Sequence, residues 1–262
     1  MTERMPTYFI SHGGGPWPWI PQMRQMFVNL ETSLVKMRAE KPRAVLMVSG
    51  HWETDEVAVM ASPKPPMVYD YYGFPPETYE IVYPAPGAPA LAERTAGLLR
   101  EAGIAVSLDT RQGFDHGTFA PMAVIWPEAE VPTYQVSIRK DYDPARHFAI
   151  GRALAPLRDE GVLIVGSGLS YHNLRMFGPQ AKVPSEAFDA WLGETLALPA
   201  GQRTAALENW ETAPYARVCH AQEDHLVPLF VALGAAEADK AERVYHDVGL
   251  MGGVTASSYR FH

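Results

Sequence analysis

Four histidines lie in short, apolar, turn-rich segments, and these are the side chains whose type and setting best suit chemistry. They are His12, His51, His172 and His225. The first three share one pattern: a run typical of a buried strand, then serine and then histidine, with glycine close before or after the histidine. In an α/β sheet the ends of such strands converge on a crevice, and three imidazoles in one crevice can hold a borderline or transition metal. The pattern therefore predicts a metalloenzyme.

The two N-terminal histidines differ in how strongly their surroundings favour a site. A glycine run follows His12 and lets the backbone approach a ligand closely. That run lacks the lysine of a phosphate-binding loop and does not match G-x-G-x-x-G, so a metal ligand is the favoured interpretation. His51 ends the clearest buried strand and, taken alone, would be a core histidine. The pattern that it shares with His12 favours a site, with Glu53 as a hydrogen-bond partner for its ring.

The next two histidines leave alternatives open. His172 follows Gly166-Ser-Gly168, where small residues leave room at a strand end, and either a general base or a metal ligand fits there. This tripeptide does not match the G-x-S-x-G motif of serine hydrolases. His116, in the Gly-bounded segment Gly113–Phe119, is expected to be a loop residue facing a cleft. An ordinary turn at Asp115 explains that segment equally well.

The C-terminal pair of histidines flanks an acidic segment. His220 and His225 are five residues apart, which is not the i, i+4 spacing of a zinc-binding helix, so they need not share a metal. His225 is expected near the start of a buried helix, where Glu223 and Asp224 also suit a helix N-terminus for structural reasons. The other histidines, expected on the surface or in the core, are His147, His246 and His262.

Composition bounds the class of protein. The chain has 262 residues, 47% of them hydrophobic, and a formal net charge of -8, which suits one large soluble domain. The acidic balance argues against nucleic acid or an anionic membrane as partner. Cys219 is the single cysteine, so no internal disulfide can form. With no apolar leader and no apolar run of ~20 residues, we expect a cytoplasmic protein. The sequence does not indicate the oligomeric state.

Strand-like and helix-like segments alternate along the chain, which predicts an α/β fold. We expect a single domain over residues 1–262, with three α/β/α layers around a mostly parallel or mixed sheet. Pro63–Pro66 and Phe74–Pro89 are expected to be surface excursions that could cover the site. The predicted strands are Thr7–Ser11, Ala44–Ser49, Val57–Ala61, Ala105–Leu108, Val131–Ser137 and Val162–Gly166, and the predicted helices are Pro21–Arg38, Ala88–Ala102, Pro144–Glu160, Ser185–Leu198 and Glu223–Ala238.

Several motifs, taken together and in order, resemble one enzyme family. The chain is similar to the class III extradiol ring-cleaving dioxygenases of the protocatechuate 4,5-dioxygenase β-subunit type, and most similar to the 4,5-DOPA dioxygenase branch. The segments that carry this resemblance are Ser11-His-Gly-Gly-Gly-Pro16, Ser49-Gly-His-Trp52, Phe114-Asp-His-Gly-Thr118, Gly166-Ser-Gly-Leu-Ser-Tyr-His-Asn-Leu174 and His220-Ala-Gln-Glu-Asp-His-Leu-Val-Pro-Leu229. They span nearly the whole chain.

The resemblance implies a role for each of five histidines. It implies one divalent metal, Fe(II) or Zn(II), bound by His12, His51 and His225; the last stands where the wider family has a glutamate. It implies that His172 is the active-site base, able to reach the metal as a fourth ligand in zinc-containing relatives. It implies that His116 is a second acid/base group.

The implied reaction is cleavage of a catechol ring by O2 to a ring-opened semialdehyde acid, with a DOPA-like catechol as substrate. A neutral histidine can accept a proton that the catechol must lose. Two alternatives remain: a zinc-bound relative with hydrolase or other activity, and a non-enzymatic metal-binding protein. No substrate-binding residue is identified. The side chains worth testing for that role are Arg175, Arg217, Tyr69, Tyr71, Tyr72 and Tyr171.

Overall fold

The computed structural model describes residues 4–262, and a mixed six-stranded sheet forms its centre. The strands within these residues are β1 (Thr7–Ser11), β2 (Ala44–Ser49), β3 (Glu53–Thr54), β4 (Val57–Met60), β5 (Val106–Asp109), β6 (Thr133–Gln135), β7 (Ile138–Arg139), β8 (Val162–Gly168), β9 (Ala241–Leu250) and β10 (Val254–Phe261). The central sheet has the order β6-β2-β8-β1-β10-β9, while β3 pairs with β7 and β4 with β5. Strands β6, β2, β8 and β1 run parallel, and β10 and β9 add an antiparallel hairpin at the edge.

Helices flank this sheet. Within the described residues they are α1 (Pro21–Met26), α2 (Val28–Val35), α3 (Pro89–Glu101), α4 (His116–Ile125), α5 (Pro144–Leu154), α6 (Pro156–Asp159), α7 (Lys182–Leu196), α8 (Ala200–Glu208), α9 (Ala216–Cys219) and α10 (Val227–Gly234). Short 3-10 turns lie at Trp17–Trp19, Lys36–Glu40, Pro76–Tyr79, Pro179–Ala181 and Trp210–Thr212.

The middle strands are covered on both faces, as their apolar sequences predict. Every residue of β2 and β8 is buried, which is the usual state of parallel strands between helix layers. Neighbouring residues of β8 contact different layers: a Cβ on Gly166 would lie 2.3 Å from the carbonyl oxygen of Pro228 in α10, while Ser167 donates to the carbonyl of Gly117 in α4. Because successive strand residues face opposite sides, α10 and α4 lie on opposite faces.

The single-domain α/β fold with a mixed sheet is confirmed, and two strands have the predicted bounds, β1 and β2. The predicted helix Pro21–Arg38 is instead two α-helices and a 3-10 turn. The predicted helix at Glu223–Ala238 begins only at Val227, where Pro228 occupies the first turn. Among residues 4–262, none of the helices combines the length and apolar character needed to cross a bilayer.

One expectation about the site region is wrong. His116 is not a loop residue but the first residue of α4. The periodicity that identifies most helices is absent here, because α4 is buried almost all round and contains Pro121. The β9–β10 hairpin is also absent from the predicted elements.

Candidate metal centre

The carboxyl ends of three neighbouring parallel strands form the floor of the candidate site. Strand β1 leads directly into His12, β2 leads through Gly50 into His51, and β8 lies between them and leads towards His172. His225 comes from the loop before α10. The strand order thus brings these histidines to one sheet edge, where sites in α/β folds form.

Glycines at two strand ends allow the loop that carries His225 to rest on the sheet. A Cβ on Gly168 would lie 2.1 Å from the carbonyl oxygen of His225, and one on Gly50 would lie 2.7 Å from that of Asp224. The Leu169 N–H donates to the His225 carbonyl over 3.1 Å. The small residues beside each histidine therefore serve close packing between backbone segments.

The ring nitrogens of three histidines converge. The Nε2 atom of His51 lies 3.1 Å from Nε2 of His12 and 3.0 Å from Nε2 of His225. Two nitrogen ligands at right angles around one ion, each about 2.1 Å from it, are separated by about 3.0 Å. The observed separations match that spacing.

The other nitrogen of each ring is already hydrogen-bonded. His51 Nδ1 lies 3.1 Å from Asp70 Oδ2, and His225 Nδ1 lies 2.7 Å from Asp224 Oδ2. His12 Nδ1 lies 2.9 Å from Ser167 Oγ, which gives its own proton to the Gly117 carbonyl and so accepts from the ring. Each Nδ1 is therefore the protonated nitrogen, and each Nε2 presents a lone pair.

This arrangement fits a cation. The Nε2 lone pairs of His12 and His225 both face His51 Nε2 at 3.0–3.1 Å, an arrangement that a positive charge between the nitrogens, a metal ion or a proton, stabilises. Burial and the neighbouring histidines hold the pKa of His12 and of His225 well below its usual value, so both rings are neutral, as metal ligands must be.

The two carboxylates behind these rings are ionised. Burial opposes ionisation of Asp70, but hydrogen bonds from His116 and His51 lower its pKa. Burial likewise opposes ionisation of Asp224, and the neighbouring His172 and His225 rings lower its pKa. Ionised acceptors behind metal-binding imidazoles fix the ring orientation and strengthen the ring as a ligand.

His116 is attached to the centre through Asp70. Its Nδ1 lies 2.9 Å from both oxygens of Asp70, and its backbone N–H donates to Oδ1 over 3.0 Å. Its ring centroid is 3.9 Å from that of His51. By distance alone His12, His51 and His116 could also share an ion, because nitrogens of the three lie within 4.8 Å of one another. Asp115, its neighbour in sequence, points away to Ser49 and Gln135.

His172 lies against the third member of the convergent set. Its ring stacks on His225 with a centroid separation of 3.4 Å and an interplanar angle of 20°. Its Nδ1 is 3.6 Å from Asp224 Oδ1, which is an electrostatic contact and not a hydrogen bond. With 17% of its side chain exposed, it lines an open cleft.

Comparison with known proteins agrees with this geometry. Residues 8–262 match the family described as the catalytic LigB subunit of aromatic ring-opening dioxygenase. The chain belongs to the LigB family. It is therefore an extradiol ring-opening dioxygenase, and the predicted resemblance is confirmed. The histidines of this centre, among which His12, His51 and His116 lie close enough to share an ion, provide a possible site for the metal on which LigB dioxygenases depend.

The similarity to individual relatives covers most of this chain. It is 39% identical to a 4,5-DOPA dioxygenase extradiol of Beta vulgaris, over 97% of this chain and 96% of that protein. It is 36% identical to one of Escherichia coli strain K12, over 89% and 86% of the two chains. A crystal structure of an uncharacterized protein from Escherichia coli K12 superposes with a TM-score of 0.80 at 29% identity, covering 99% of this chain and 100% of that one.

The structure corrects two sequence-based expectations about this site. Glu53 does not contact His51; it accepts a hydrogen bond from Tyr142 over 2.6 Å, and Asp70 takes the expected place. Asp70 was not predicted as a site residue, because it lies between the two predicted surface excursions, in a segment with no local motif. Asp224, expected to act only at a helix start, holds the His225 ring.

Other candidate residues lie outside the centre. His220 is a core histidine: burial lowers its pKa to about 3, and its Nε2–H donates to the Ser170 carbonyl. Cys219 is buried, which raises its pKa to about 12 and makes it a poor nucleophile. Arg217 is held by Glu211 and Glu223.

The four tyrosines named as side chains to test for substrate binding differ in their position relative to the centre. Tyr71 lies 6.0 Å from His116 between ring centroids, and Tyr69 lies 6.1 Å from Tyr71. Tyr72 is 91% exposed, and Tyr171 is buried with its hydroxyl donating to the Met176 carbonyl. The segment between the two expected surface excursions therefore reaches the centre through Asp70 and Tyr71.

Proposed function

We propose that this dioxygenase binds one ferrous ion through His12, His51 and His225 and cleaves a DOPA-like catechol with O2 to a ring-opened semialdehyde acid. The observation that carries the proposal is that the Nε2 atoms of His12 and His225 lie 3.1 Å and 3.0 Å from Nε2 of His51, while the Nδ1 atom of each ring has a polar partner elsewhere. Both oxygen atoms of O2 enter the product while one ring carbon–carbon bond breaks. The name of its relatives, 4,5-DOPA dioxygenase extradiol, supports the substrate class.

Iron is proposed over zinc because of the chemistry that the reaction needs. Imidazoles suit both metals, so the donor set does not separate them. A ferrous ion supplies both the Lewis acidity that favours catecholate and the redox chemistry that zinc lacks. The four other polar groups near the ion, Asp70, Asp224, His116 and His172, then remain available to orient ligands and move protons.

His172 is proposed as the general base. Its Nδ1 faces Asp224 at 3.6 Å, which leaves Nε2 as the atom that takes a proton from a catechol hydroxyl. The open cleft gives substrate access to this ring. The Asp224 carboxylate near Nδ1 is the group that can orient this ring for proton transfer at Nε2.

His116 is proposed as the second acid/base group. Its Nδ1–H is committed to Asp70 at 2.9 Å, so only Nε2 can exchange a proton with the reacting ring or oxygen. The ring is nearly buried, which keeps bulk water from competing for that proton. The adjacent Tyr71 gives an aromatic surface against which a catechol ring can pack.

The cytoplasmic location stays a prediction that rests on the single cysteine.

The proposed function is tested by anaerobic reconstitution with Fe(II) or Zn(II), followed by O2 uptake with a panel of catechols that includes DOPA. We expect the iron form to consume one O2 per catechol and give a yellow product that carries both atoms of 18O2 by mass spectrometry. The zinc form serves as the matched control and should bind substrate without O2 uptake. Stoichiometric metal binding with no uptake in either form would favour the zinc-hydrolase or metal-binding alternative.

A further inference from the structure

The cleft that exposes His172 also contains an arginine. On the side of the metal centre its wall includes His172 and Asp224, and its remaining wall includes Leu174, Arg175 and Gln222. Its volume is about 410 Å³, within the range of about 300–1,000 Å³ typical of sites for small molecules. A substrate that reaches His172 through this cleft therefore passes close to Arg175.

Within the described part of the chain, Arg175 is a cation without an ion pair. The other arginine of this region, Arg217, is held by Glu211 and Glu223. Asp224 is engaged by His225 at 2.7 Å. Among residues 4–262, no carboxylate lies within salt-bridge distance of the Arg175 guanidinium. Of the two charged groups that line this cleft, Asp224 already contacts histidine rings, so Arg175 is the one that can pair with an anion from solution.

Hydrogen bonds fix the turn that carries Arg175. The Asn173 side chain donates to the Val218 carbonyl over 2.7 Å and accepts from the Arg175 backbone N–H over 3.1 Å. The Met176 N–H donates to the Asn173 carbonyl over 3.0 Å. A turn fixed in this way holds the base of the arginine three residues from His172, and less ordering is needed when a ligand binds.

We propose that Arg175 binds the carboxylate of the substrate's side chain, so that the preferred substrates are catechols with an anionic substituent. This inference rests on the proposed function, because it assigns the substituent of a catechol whose hydroxyl groups face the metal centre. The planar guanidinium can donate two parallel hydrogen bonds to a carboxylate. Leu174 beside it is 71% exposed and offers an apolar contact for the linking carbons.

Four catechols separate the two charges of DOPA: DOPA itself, 3,4-dihydroxyphenylpropionate with the carboxylate only, dopamine with the ammonium only, and 4-methylcatechol with neither. Binding to the metal-loaded protein is measured by anaerobic calorimetry, and turnover is measured separately in air. We expect Arg175→Gln to weaken binding of the two carboxylates about ten-fold or more and to change the other two about two-fold or less. Arg175→Lys should keep part of the preference for carboxylates, because lysine supplies a positive charge but not the two parallel hydrogen bonds of a guanidinium.

Arg100→Gln is the matched control, because Arg100 lies in α3 and does not line this cleft; it should change none of the four affinities. Equal weakening of all four ligands by Arg175→Gln, or no weakening of any, would overturn the assignment. So would a wild-type protein that binds 4-methylcatechol as tightly as the carboxylates. Selective binding that depends on Arg175, without O2 uptake, would uphold this site while the proposed reaction fails. Turnover of catechols without a preference for the carboxylates would uphold the proposed reaction while this binding site fails.

Discussion

Two aspartates serve the candidate metal centre in the same way, each behind one proposed ligand and one proposed acid/base histidine. Asp70 contacts the Nδ1 atoms of His51 at 3.1 Å and of His116 at 2.9 Å. Asp224 contacts those of His225 at 2.7 Å and of His172 at 3.6 Å. We call these sets the Asp70 half and the Asp224 half. The first holds both rings by hydrogen bonds, whereas the second holds one ring by a hydrogen bond and the other by stacking.

The difference indicates different duties for the two acid/base histidines. His116 has its ring and its backbone N–H fixed on one carboxylate, so it suits a proton donor or acceptor that must stay in place. His172 lies at the open cleft without a close hydrogen bond at Nδ1, so its ring can adjust to an arriving substrate. A general base that first meets the catechol benefits from that freedom.

The largest predicted effect comes from removing either acid/base ring. His172→Ala and His116→Ala should each lower kcat by about 10²–10⁴-fold, since each removes a positioned proton-transfer group. Metal content measured by mass spectrometry should remain near the wild-type value in both variants. An unchanged kcat for His172→Ala would refute its role as base, and loss of metal would make it a ligand.

The next effect distinguishes the two carboxylates. Asp70→Asn should weaken metal binding, measured by chelator competition, towards the upper end of about 10–100-fold, because three N–H donors depend on this carboxylate. Asp224→Asn should weaken metal binding by an amount at the lower end of the same range, because Asp224 makes only one close hydrogen bond to a ring. A larger loss for Asp224→Asn would reverse the comparison.

Glycines that support each half give a smaller effect, on stability. A Cβ on Gly117 would lie 2.4 Å from Ser49 Oγ and 3.0 Å from the ring of His51. We expect Gly117→Ala to lower the free energy of unfolding by about 1–3 kcal/mol through overpacking. Gly50→Ala, crowded by the Asp224 carbonyl at 2.7 Å, tests the other half.

Gly97 provides the control for these two variants. It lies in α3, and a methyl group added there would meet no neighbouring atom within 4 Å. Gly97→Ala should raise the free energy of unfolding by about 0.5–1 kcal/mol, because alanine is the better helix former. If urea unfolding shows Gly117→Ala to be as stable as Gly97→Ala, the close approach of α4 to β2 is not as described.

A histidine outside both halves gives the smallest effect and a baseline for pH. His147 is fully buried, with Nδ1 donating to the Asp143 carbonyl at 2.7 Å and Nε2 accepting from the Arg139 N–H at 3.0 Å. Burial lowers its pKa, although the Asp143 carbonyl opposes this. Below a pH of about 6.5 the unfolded chain therefore binds a proton that the folded protein excludes, so stability falls as pH falls.

Comparison of the wild type with His147→Gln isolates this contribution. Between pH 7 and pH 5.5 the wild type should lose about 1 kcal/mol more free energy of unfolding than the variant. Equal losses in urea unfolding would show that the folded protein accepts a proton at His147, against the hydrogen bonding described above.

Much of the architecture could be predicted because local pattern and burial agree there. Strands β1 and β2 are continuous apolar runs that end in serine, and they have the predicted bounds. Helix α4 could not be predicted, since a helix buried nearly all round has no polar face to reveal its period. The long strand β9 is mostly exposed, and its charged residues conceal it.

The candidate site shows the same division. His12, His51 and His225 each sit in a recognisable segment, so the sequence could place them at one sheet edge. Asp70 has no such signal: its partner His116 is 46 residues away, and only the folded chain brings them together. Asp224 and Glu223 were both expected at a helix start, and only the folded chain shows that Asp224 holds the His225 ring while Glu223 pairs with Arg217.

The most direct test of the central claim is the iron content of four alanine variants after anaerobic loading with Fe(II) and removal of unbound metal. We predict about one iron per wild-type chain and per His116→Ala chain, and less than about a tenth of that for His12→Ala, His51→Ala and His225→Ala. Circular dichroism of each variant confirms that it is folded. If His225→Ala keeps its iron while His116→Ala loses it, the ion belongs to His12, His51 and His116, and the assignment of ligands proposed here is wrong.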